Sequence, residues 1–328
     1  MSDEYCFDSE TQKDCWNAEK WAADFKNVTD LIRESGFVSA REKLYRMRIE
    51  VFRHTMRQVE RFATSGPECA INRESVGRMQ RGARLYKNEF FVFKYEANAE
   101  PTRVEVREQD CLLAARELGE EGFNVAVLNL ANRQNPGGGV LQGMGAQEEN
   151  LFRRTNLFRA MYQFAPYATD YGLEKSPDQY PIDRNFGGVY VPDAAVFRGP
   201  ESAGYPILER PFFTSFIAVP AMNRPPLTPD NSQIAKELVE PTKHKMRTIF
   251  RVGISNGHDA LVLGAFGCGV YRNPPGHIAR LFHEVMGEQE FANKLRRVVF
   301  AIVEDHNSRL AHNPGGNLIP FRCEFSDT

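Results

Sequence analysis

Residues 124–150 read NVAVLNLANRQNPGGGVLQGMGAQEEN. The first eight residues are almost all apolar, which is typical of a strand buried on both faces of a sheet. Three glycines, Gly137–Gly139, come soon after this strand, and the acidic pair Glu148 and Glu149 follows at the start of a helical pattern. Open α/β sheets bind ligands beyond the carboxyl ends of their strands. The stretch therefore predicts an α/β fold with a ligand site at the glycine loop.

Strand and helix patterns alternate on both sides of this stretch, from about residue 100 onward. Apolar or alternating runs predict strands at 102–107, 212–221, 260–266 and 296–305, and an extended or hairpin segment at 187–199. Helical spacing predicts helices at 109–122, 147–164, 234–255 and 274–287, and Pro241 is able to kink or divide the third of these. This alternation predicts an α/β/α sandwich around a buried sheet.

The first 95 residues differ in texture, because they are highly charged and mostly helical in pattern. Apolar residues recur there at helical spacing, first at Trp16, Trp21, Phe25, Leu31 and Ile32 and then at Leu44, Met47, Val51, Phe52, Val59 and Phe62. We interpret both sets as packing faces of helices. The predicted organisation is a helical accessory segment at 1–95 followed by an α/β domain at 96–328.

Composition excludes several classes of protein. The chain has 328 residues, 42% of them hydrophobic, and a net charge of -2, so it lacks the global basic field of a protein that binds nucleic acid through phosphates alone. It has neither an apolar run long enough to span a membrane nor a secretory signal. Its six cysteines include no C-x-x-C pair, which favours reduced thiols. We expect an intracellular protein, cytoplasmic or nuclear, with no membrane partner.

A second glycine loop repeats the arrangement of the first. The apolar run 260–266 leads into Gly267-Cys268-Gly269-Val270-Tyr271, and Pro274-Pro275 then opens a helix. Neither loop has the spacing of a P-loop or of a dinucleotide-binding fingerprint. Two glycine loops that each follow a strand nevertheless favour a nucleotide or diphosphate ligand, because glycine lets backbone N–H groups approach anionic oxygens.

Glu148 and Glu149 can be interpreted either as structural residues at a helix start or as functional residues. Neighbouring residues on a helix point about 100° apart, so this pair cannot face one bond as the two carboxylates of a glycosidase do. Acids in the first turn of a helix are common because they favour the helix dipole. The glycine loop seven residues earlier is what favours a functional role for one of them.

The combination of motifs resembles one known family. Gly-Gly-Gly, seven residues and then Gln147-Glu148-Glu149, with Asn135-Pro136 before the glycines and GAFGCGVYRNPP at 264–275, resembles the microbial-type poly(ADP-ribose) glycohydrolases, which carry a macrodomain. The resemblance spans roughly 100 to 305, and the helical 1–95 looks like the amino-terminal accessory segment of that family. It implies a macrodomain-like α/β/α sandwich and mainly exo-acting hydrolysis of ribose–ribose bonds that releases ADP-ribose.

The resemblance also implies roles for individual residues. It makes Glu149 the catalytic acid, with Glu148 and Asn132 holding ribose hydroxyls. It places the backbone of Gly137, Gly138 and Gly139 against the diphosphate and its ribose, and makes Gly267, Cys268, Gly269 and Val270 a second diphosphate loop. The family usually has phenylalanine at the next position, where this chain has Tyr271. The added hydroxyl leaves the linkage preference open. The scheme requires neither a metal nor a cofactor.

Three alternatives stay open at this stage. The chain could be a macrodomain that only binds ADP-ribose, although such a reader would not need the triplet that begins at Gln147. It could instead hydrolyse mono-ADP-ribose on a protein or on nucleic acid, with nearly the same pocket. Cys268 could be imagined as a nucleophile, but the sequence fixes no histidine beside it. The expected partners are ADP-ribose and poly(ADP-ribose) on modified proteins, with ADP-ribosylated nucleic acid as a further possibility.

Overall fold

The computed structural model of the protein describes residues 16–35, 38–66, 68–92, 94–305 and 308–326. Contacts divide the chain into two compact units that do not follow chain order. The helical unit comprises the described residues up to Gly82 together with Gly137–Tyr162 and Asp193–Phe213, and the sheet unit comprises the remainder. The domain boundary at residue 95 stays a prediction.

The helical unit contains helices α1 (Ala18–Ser35), α2 (Val38–Thr64), α3 (Arg73–Gly82), α5 (Gln147–Arg154) and α6 (Leu157–Met161). The predicted apolar face of α2 is a packing face, since five of its six residues are buried: Leu44, Met47, Val51, Phe52 and Val59. The Phe52 ring lies 6.4 Å from the ring of Phe152 on α5 and 6.0 Å from that of Phe158 on α6. Helix α2 thus packs directly on the segment that carries the two glutamates.

The helix predicted over 147–164 is in fact broken between α5 and α6. Thr155 forms a β-bridge with Val196, and Asn156 exchanges main-chain and side-chain hydrogen bonds with Ala195. The Thr155 hydroxyl also donates to the Leu151 carbonyl one turn earlier. Because these two residues bond to an extended segment far along the chain, they leave helical geometry, which helical spacing alone does not reveal.

The sheet unit is built around one seven-stranded sheet in the order β1-β4-β5-β3-β6-β7-β2. The strands are β1 (Arg84–Tyr86), β2 (Arg103–Arg107), β3 (Val125–Leu130), β4 (Gly188–Arg198), β5 (Ile207–Val219), β6 (Ala260–Leu263) and β7 (Arg297–Ala301). The division between the units falls within β4 and β5. The unit's helices are α4 (Cys111–Glu120), α7 (Val239–Ser255), α8 (Pro275–Met286) and α9 (Leu318–Glu324).

Strands β5, β3, β6, β7 and β2 run parallel. Of these, β3, β6 and β7 are buried along most of their length and form the centre, and β2 lies at the edge. On one face Leu128, Leu261 and Phe300 pack with α7, α8 and α9 in a single apolar cluster. Alternation along a strand turns residues such as Val127 and Val262 to the other face, and α4 contacts β3, β6 and β7. The predicted macrodomain-like α/β/α sandwich is confirmed.

Two local expectations are resolved by the structure. Pro241 is the third residue of α7, in the first turn, where a missing N–H leaves no intrahelical bond unmade, and the helix continues to Ser255. The segment 187–199 forms the single strand β4 rather than a hairpin, with Asp193 at φ 46° within it.

Parallel pairing of β3 with β6 positions part of the candidate site. Their carboxyl ends lie at the same edge of the sheet, so Asn132, which follows β3, and the loop Gly267–Tyr271, which follows β6, emerge at that edge. Within the described ranges, no helix combines the length and the apolar character needed to cross a bilayer.

Candidate active site

The first glycine loop is held by the two glutamates that follow it. Gly137 and Gly138 adopt left-handed backbone with φ of 78° and 54°. The N–H of Gly137 donates to Glu148 Oε1 at 3.0 Å, and the N–H of Gly139 donates to Glu149 Oε1 at 2.9 Å. The two adjacent carboxylates therefore bond to different amides of one loop, as their divergent directions on α5 require.

Close approach, and not only backbone freedom, requires glycine in this loop. A Cβ on Gly138 would lie 2.5 Å from Glu149 Oε1 and 3.1 Å from Glu148 Oε2. A Cβ on Gly137 would lie 2.6 Å from Cε1 of Phe152, whose ring is fully buried. The loop backbone thus lies directly against both carboxylates.

Glu149 differs from Glu148 in how its oxygens are used. Glu148 is 2% exposed and Glu149 is 7% exposed, so both carboxylates are buried. Glu149 Oε1 accepts the Gly139 N–H, whereas Oε2 is buried and accepts no hydrogen bond from any described protein atom. An unpaired buried carboxylate oxygen is costly, and a catalytic role is one explanation for its presence.

Helix α5, which begins at Gln147, is anchored by Arg153, a buried arginine in its last turn. Arg153 Nε donates to the Arg48 carbonyl at 3.1 Å, and its Nη2 donates to the Met144 carbonyl in the loop before α5. The Thr55 hydroxyl donates to the Arg153 carbonyl at 2.6 Å. The sequence did not predict these contacts, because charged residues are mostly solvated and no local pattern marks Arg153 as buried.

A second missed group is the ion pair of Arg48 and Glu201. Arg48 Nε and Nη2 donate to Glu201 Oε1 and Oε2 at 2.8 and 2.9 Å. Burial works to raise the pKa of the Glu201 carboxyl, but Arg48, Arg153 and the Tyr205 hydroxyl outweigh it and hold that pKa below its usual range. Burial and the Glu201 charge together raise the pKa of the Tyr205 hydroxyl. Glu201 therefore lies in the protein as a carboxylate bound to Arg48.

The second glycine loop is held by side chains that contact its carbonyl groups. Asn273 Nδ2 donates to the carbonyls of Met222, Gly267 and Tyr271 at 2.7, 3.0 and 3.3 Å. His312 Nε2 lies 2.7 Å from the Cys268 carbonyl oxygen. Along the described chain the N–H groups of Gly269 and Val270 have no protein acceptor. The loop therefore presents donors, as an anion-binding loop does.

Cys268 does not have the properties of a nucleophile. Its side chain is fully buried, and burial raises the pKa of its thiol well above the usual range. The thiolate is the reactive form of cysteine. The structure thus supports the interpretation of Cys268 as a small residue within a tight loop.

The predicted site residues fall into two groups. Gly137, Gly138, Gly139, Gln147, Glu148 and Glu149 lie in the helical unit, and Asn132 with Gly267–Tyr271 lies in the sheet unit. Asn132 Oδ1 accepts from the N–H groups of Gln134 and Asn135 at 2.8 and 3.1 Å, which shapes the turn after β3. Asp110, which follows β2, caps α4 by accepting from the N–H groups of Leu112 and Leu113.

Comparison with known proteins gives a consistent picture. A family model described as the catalytic domain of microbial-type PARG, poly(ADP-ribose) glycohydrolase, matches residues 52–199. The matched segment contains the first glycine loop and both glutamates. A search of curated proteins found no match.

Solved structures extend the similarity over most of the chain. The structure of PARG from Thermomonospora curvata is 30% identical with a TM-score of 0.67, covering 85% of this chain and 99% of that one. A complex of PARG from the same organism with the inhibitor ADP-HPD is 30% identical with a TM-score of 0.64, at the same coverage. PARG from Deinococcus radiodurans in complex with ADP-ribose is 28% identical with a TM-score of 0.58, covering 76% of this chain and 97% of that one.

Proposed function

The chain belongs to the microbial-type poly(ADP-ribose) glycohydrolase family, and we propose that it cleaves the ribose–ribose bonds of poly(ADP-ribose) with Glu149 as proton donor and acceptor. It is a glycosidase. One observation carries the assignment to Glu149: a buried carboxylate is fixed through Oε1 by the Gly139 amide, while Oε2 has no hydrogen-bond partner in the described chain. An oxygen without a protein donor supports a role in proton exchange with the substrate.

The chemistry follows from the nature of the bond. Ribosyl cleavage passes through an oxocarbenium-like state, so the departing oxygen needs a proton as the bond to C1″ breaks. Glu149 Oε2 donates that proton, because Oε1 is already an acceptor for the Gly139 amide. The resulting carboxylate then takes a proton from the water that attacks C1″, which restores the acid. Glu148 and Asn132 hold ribose hydroxyls in this scheme.

The two loops divide the work of binding and chemistry. The Gly137 and Gly139 amides are engaged by carboxylates, so this loop fixes the acid relative to the ribose. The Gly269 and Val270 amides have no acceptor among the described residues, which suits the oxygens of a diphosphate. Cleavage proceeds mainly from chain ends, releases ADP-ribose and leaves the protein-linked unit in place.

Substitution of Glu149 by glutamine tests the proposal. The amide oxygen of glutamine still accepts from Gly139, but the group no longer supplies a carboxyl proton, so shortening of poly(ADP-ribose) should slow by about 10²–10⁴-fold. Calorimetric affinity for ADP-ribose should stay within a few-fold. Glu148→Gln is the matched control and should slow turnover less, through weaker positioning of the ribose.

Three results would change the assignment. Full activity of Glu149→Gln would place the acid elsewhere. Absence of ADP-ribose binding at millimolar ligand would remove the site. If the unsubstituted protein is inactive on polymer but releases single units from mono-ADP-ribosylated protein or DNA, those modified molecules become the proposed substrates.

A further inference from the structure

The ion pair between Arg48 and Glu201 is buried next to the acid-bearing segment. Its side chains are 9% and 17% exposed, and both guanidinium–carboxylate hydrogen bonds are short and parallel. Arg48 comes from α2, and Glu201 comes from the turn between β4 and β5. The chain thus brings two distant charges together within the helical unit.

Arg48 contacts the loop that leads into α5. A Cβ on Gly145 would lie 2.2 Å from Arg48 Nη1, so the guanidinium lies flat against the backbone just before Ala146, the residue that caps α5. The Arg48 carbonyl also accepts from Arg153 on α5. One residue of α2 therefore contacts both the start of α5 and its last turn.

Glu201 continues the connection to the residue after the acid. The Tyr205 hydroxyl donates to Glu201 Oε1 at 2.9 Å, and Asn150 Nδ2 donates to the Tyr205 oxygen at 3.2 Å. Asn150 directly follows Glu149 in α5. Hydrogen bonds thus connect Arg48, through Glu201 and Tyr205, to the backbone that carries Glu149.

Electrostatics agree with this geometry. Burial lowers the pKa of the Arg48 guanidinium, but Glu201, Tyr205 and Glu149 together outweigh burial and raise it. Glu149 is therefore one of the charged groups that surround the Arg48 guanidinium. A buried ion pair adds little net stability, because desolvation offsets the attraction, and its best use is to specify one geometry.

We propose that Arg48 is a positioning residue for the reaction: held by Glu201, it fixes residues 144–150 so that Glu149 meets the glycosidic oxygen. The inference rests on the proposed function and assigns a catalytic purpose to α2 of the amino-terminal segment. Misplacing a catalytic group by about 1 Å costs on the order of 100-fold in rate. The effect should therefore fall on kcat rather than on binding.

The test is a double variant, Arg48→Met/Glu201→Met, assayed on poly(ADP-ribose). Replacing both members of a buried ion pair by apolar residues is often neutral for stability, so the melting temperature should stay near that of the unchanged protein. We expect kcat to fall about 10–100-fold, with KM for polymer and calorimetric affinity for ADP-ribose changed less than about threefold.

The sheet unit offers a matched control. Arg251 and Glu290 form a bidentate pair that is even more buried, at 3% and 7% exposed, with both distances at 2.8 Å, and neither is part of the site. Arg251→Met/Glu290→Met should leave kcat unchanged whatever it does to the melting temperature. An equal loss of kcat in both double variants would mean a general effect of buried pairs and would overturn the proposal.

Two further variants keep the outcome decisive. Normal kcat in a folded Arg48→Met/Glu201→Met variant overturns the proposal. If that variant does not fold, Arg48→Lys decides: it keeps the charge but loses the two-pronged contact, so kcat should fall and unchanged kcat refutes positioning. Glu149→Gln measured alongside separates the hypotheses, because full activity there rejects the acid assignment, whereas normal kcat in the Arg48 variants rejects only the positioning role.

Discussion

In the loop at Gly137–Gly139, side-chain carboxylates accept hydrogen bonds from backbone N–H groups, whereas at Gly267–Asn273 a side-chain amide donates to backbone carbonyl groups. Both loops are rich in glycine and both come after an apolar strand. The first brings negative charge against the backbone. The second uses its carbonyls for internal bonds and leaves the Gly269 and Val270 amides without an acceptor in the described chain.

The difference teaches that similar glycine loops serve separate purposes. A loop bonded to carboxylates fixes the position of an acid, which affects the rate of bond cleavage. A loop whose amides lack protein acceptors presents partial positive charge, which affects affinity for a diphosphate. Substitutions in the first loop should therefore change kcat, and substitutions in the second should change the dissociation constant for ADP-ribose.

Among substitutions in the two loops, the largest effect is expected from Gly138→Ala. The added Cβ would meet Glu149 Oε1 at 2.5 Å in left-handed backbone, so the carboxylate or the loop must move. We expect kcat on polymer to fall by about 100-fold or more. The control is Gly172→Ala, which has similar backbone strain at φ 63° but no atom within 4 Å of the new Cβ. Comparable losses of kcat in both variants would attribute the effect to strain alone.

A smaller effect, on affinity, is expected from Asn273→Ala. It removes three hydrogen bonds that close the second loop, so calorimetric affinity for ADP-ribose should weaken about tenfold and the free energy of unfolding should drop by about 1–3 kcal/mol. Asn256→Ala, which also removes an amide that bonds to Val252 and Tyr86, should lower stability without lowering affinity. A fall in kcat with unchanged affinity would contradict the assignment of this loop to binding.

Tyr271→Phe should produce a change of only a few-fold. It restores the family's usual ring and removes one hydroxyl, and a single hydrogen bond contributes about 0.5–1.5 kcal/mol, or roughly 2–10-fold. The informative measurement is the ratio of kcat/KM on polymer to that on mono-ADP-ribosylated protein. A ratio identical in both forms would show that the hydroxyl has no part in linkage preference.

The smallest response is expected from Cys268. Because burial raises the pKa of its thiol, a thiol reagent at pH 8 should modify exposed Cys323 and leave Cys268 unmodified in the folded protein. Peptide mapping by mass spectrometry, repeated after unfolding in guanidinium, measures both sites. Rapid modification of Cys268 in the folded state would reinstate a nucleophile in the second loop.

Local signals were sufficient for much of the fold and the site. The runs at 124–131 and 260–266 predicted buried strands because a central parallel strand is apolar on both faces. The spacing from the glycines to Glu149 predicted an acid near the loop, and the Glu149 carboxylate does accept a hydrogen bond from the Gly139 amide. The face of α2 was predictable because helical periodicity directly reports burial.

Other features depend on contacts between distant segments. The break after α5 follows from pairing with Ala195 and Val196, which no pattern within 147–164 encodes. Arg48 stands among many exposed arginines of α2, and only folding shows that it meets Glu201. Charged residues in a sequence are mostly solvated, so a buried pair gives no local signal.

The sequence by itself determined the order of strands and helices, the placement of glycine at the two loops and the presence of a carboxylate beside the first. These follow from periodicity and backbone sterics, which act over a few residues. Only the tertiary structure decided which amides the carboxylates occupy, that Glu149 retains one unpaired oxygen in the described chain, and that Arg48 and Glu201 support the acid. Hydrogen bonds and ion pairs between residues more than a hundred positions apart exist only once the chain has folded.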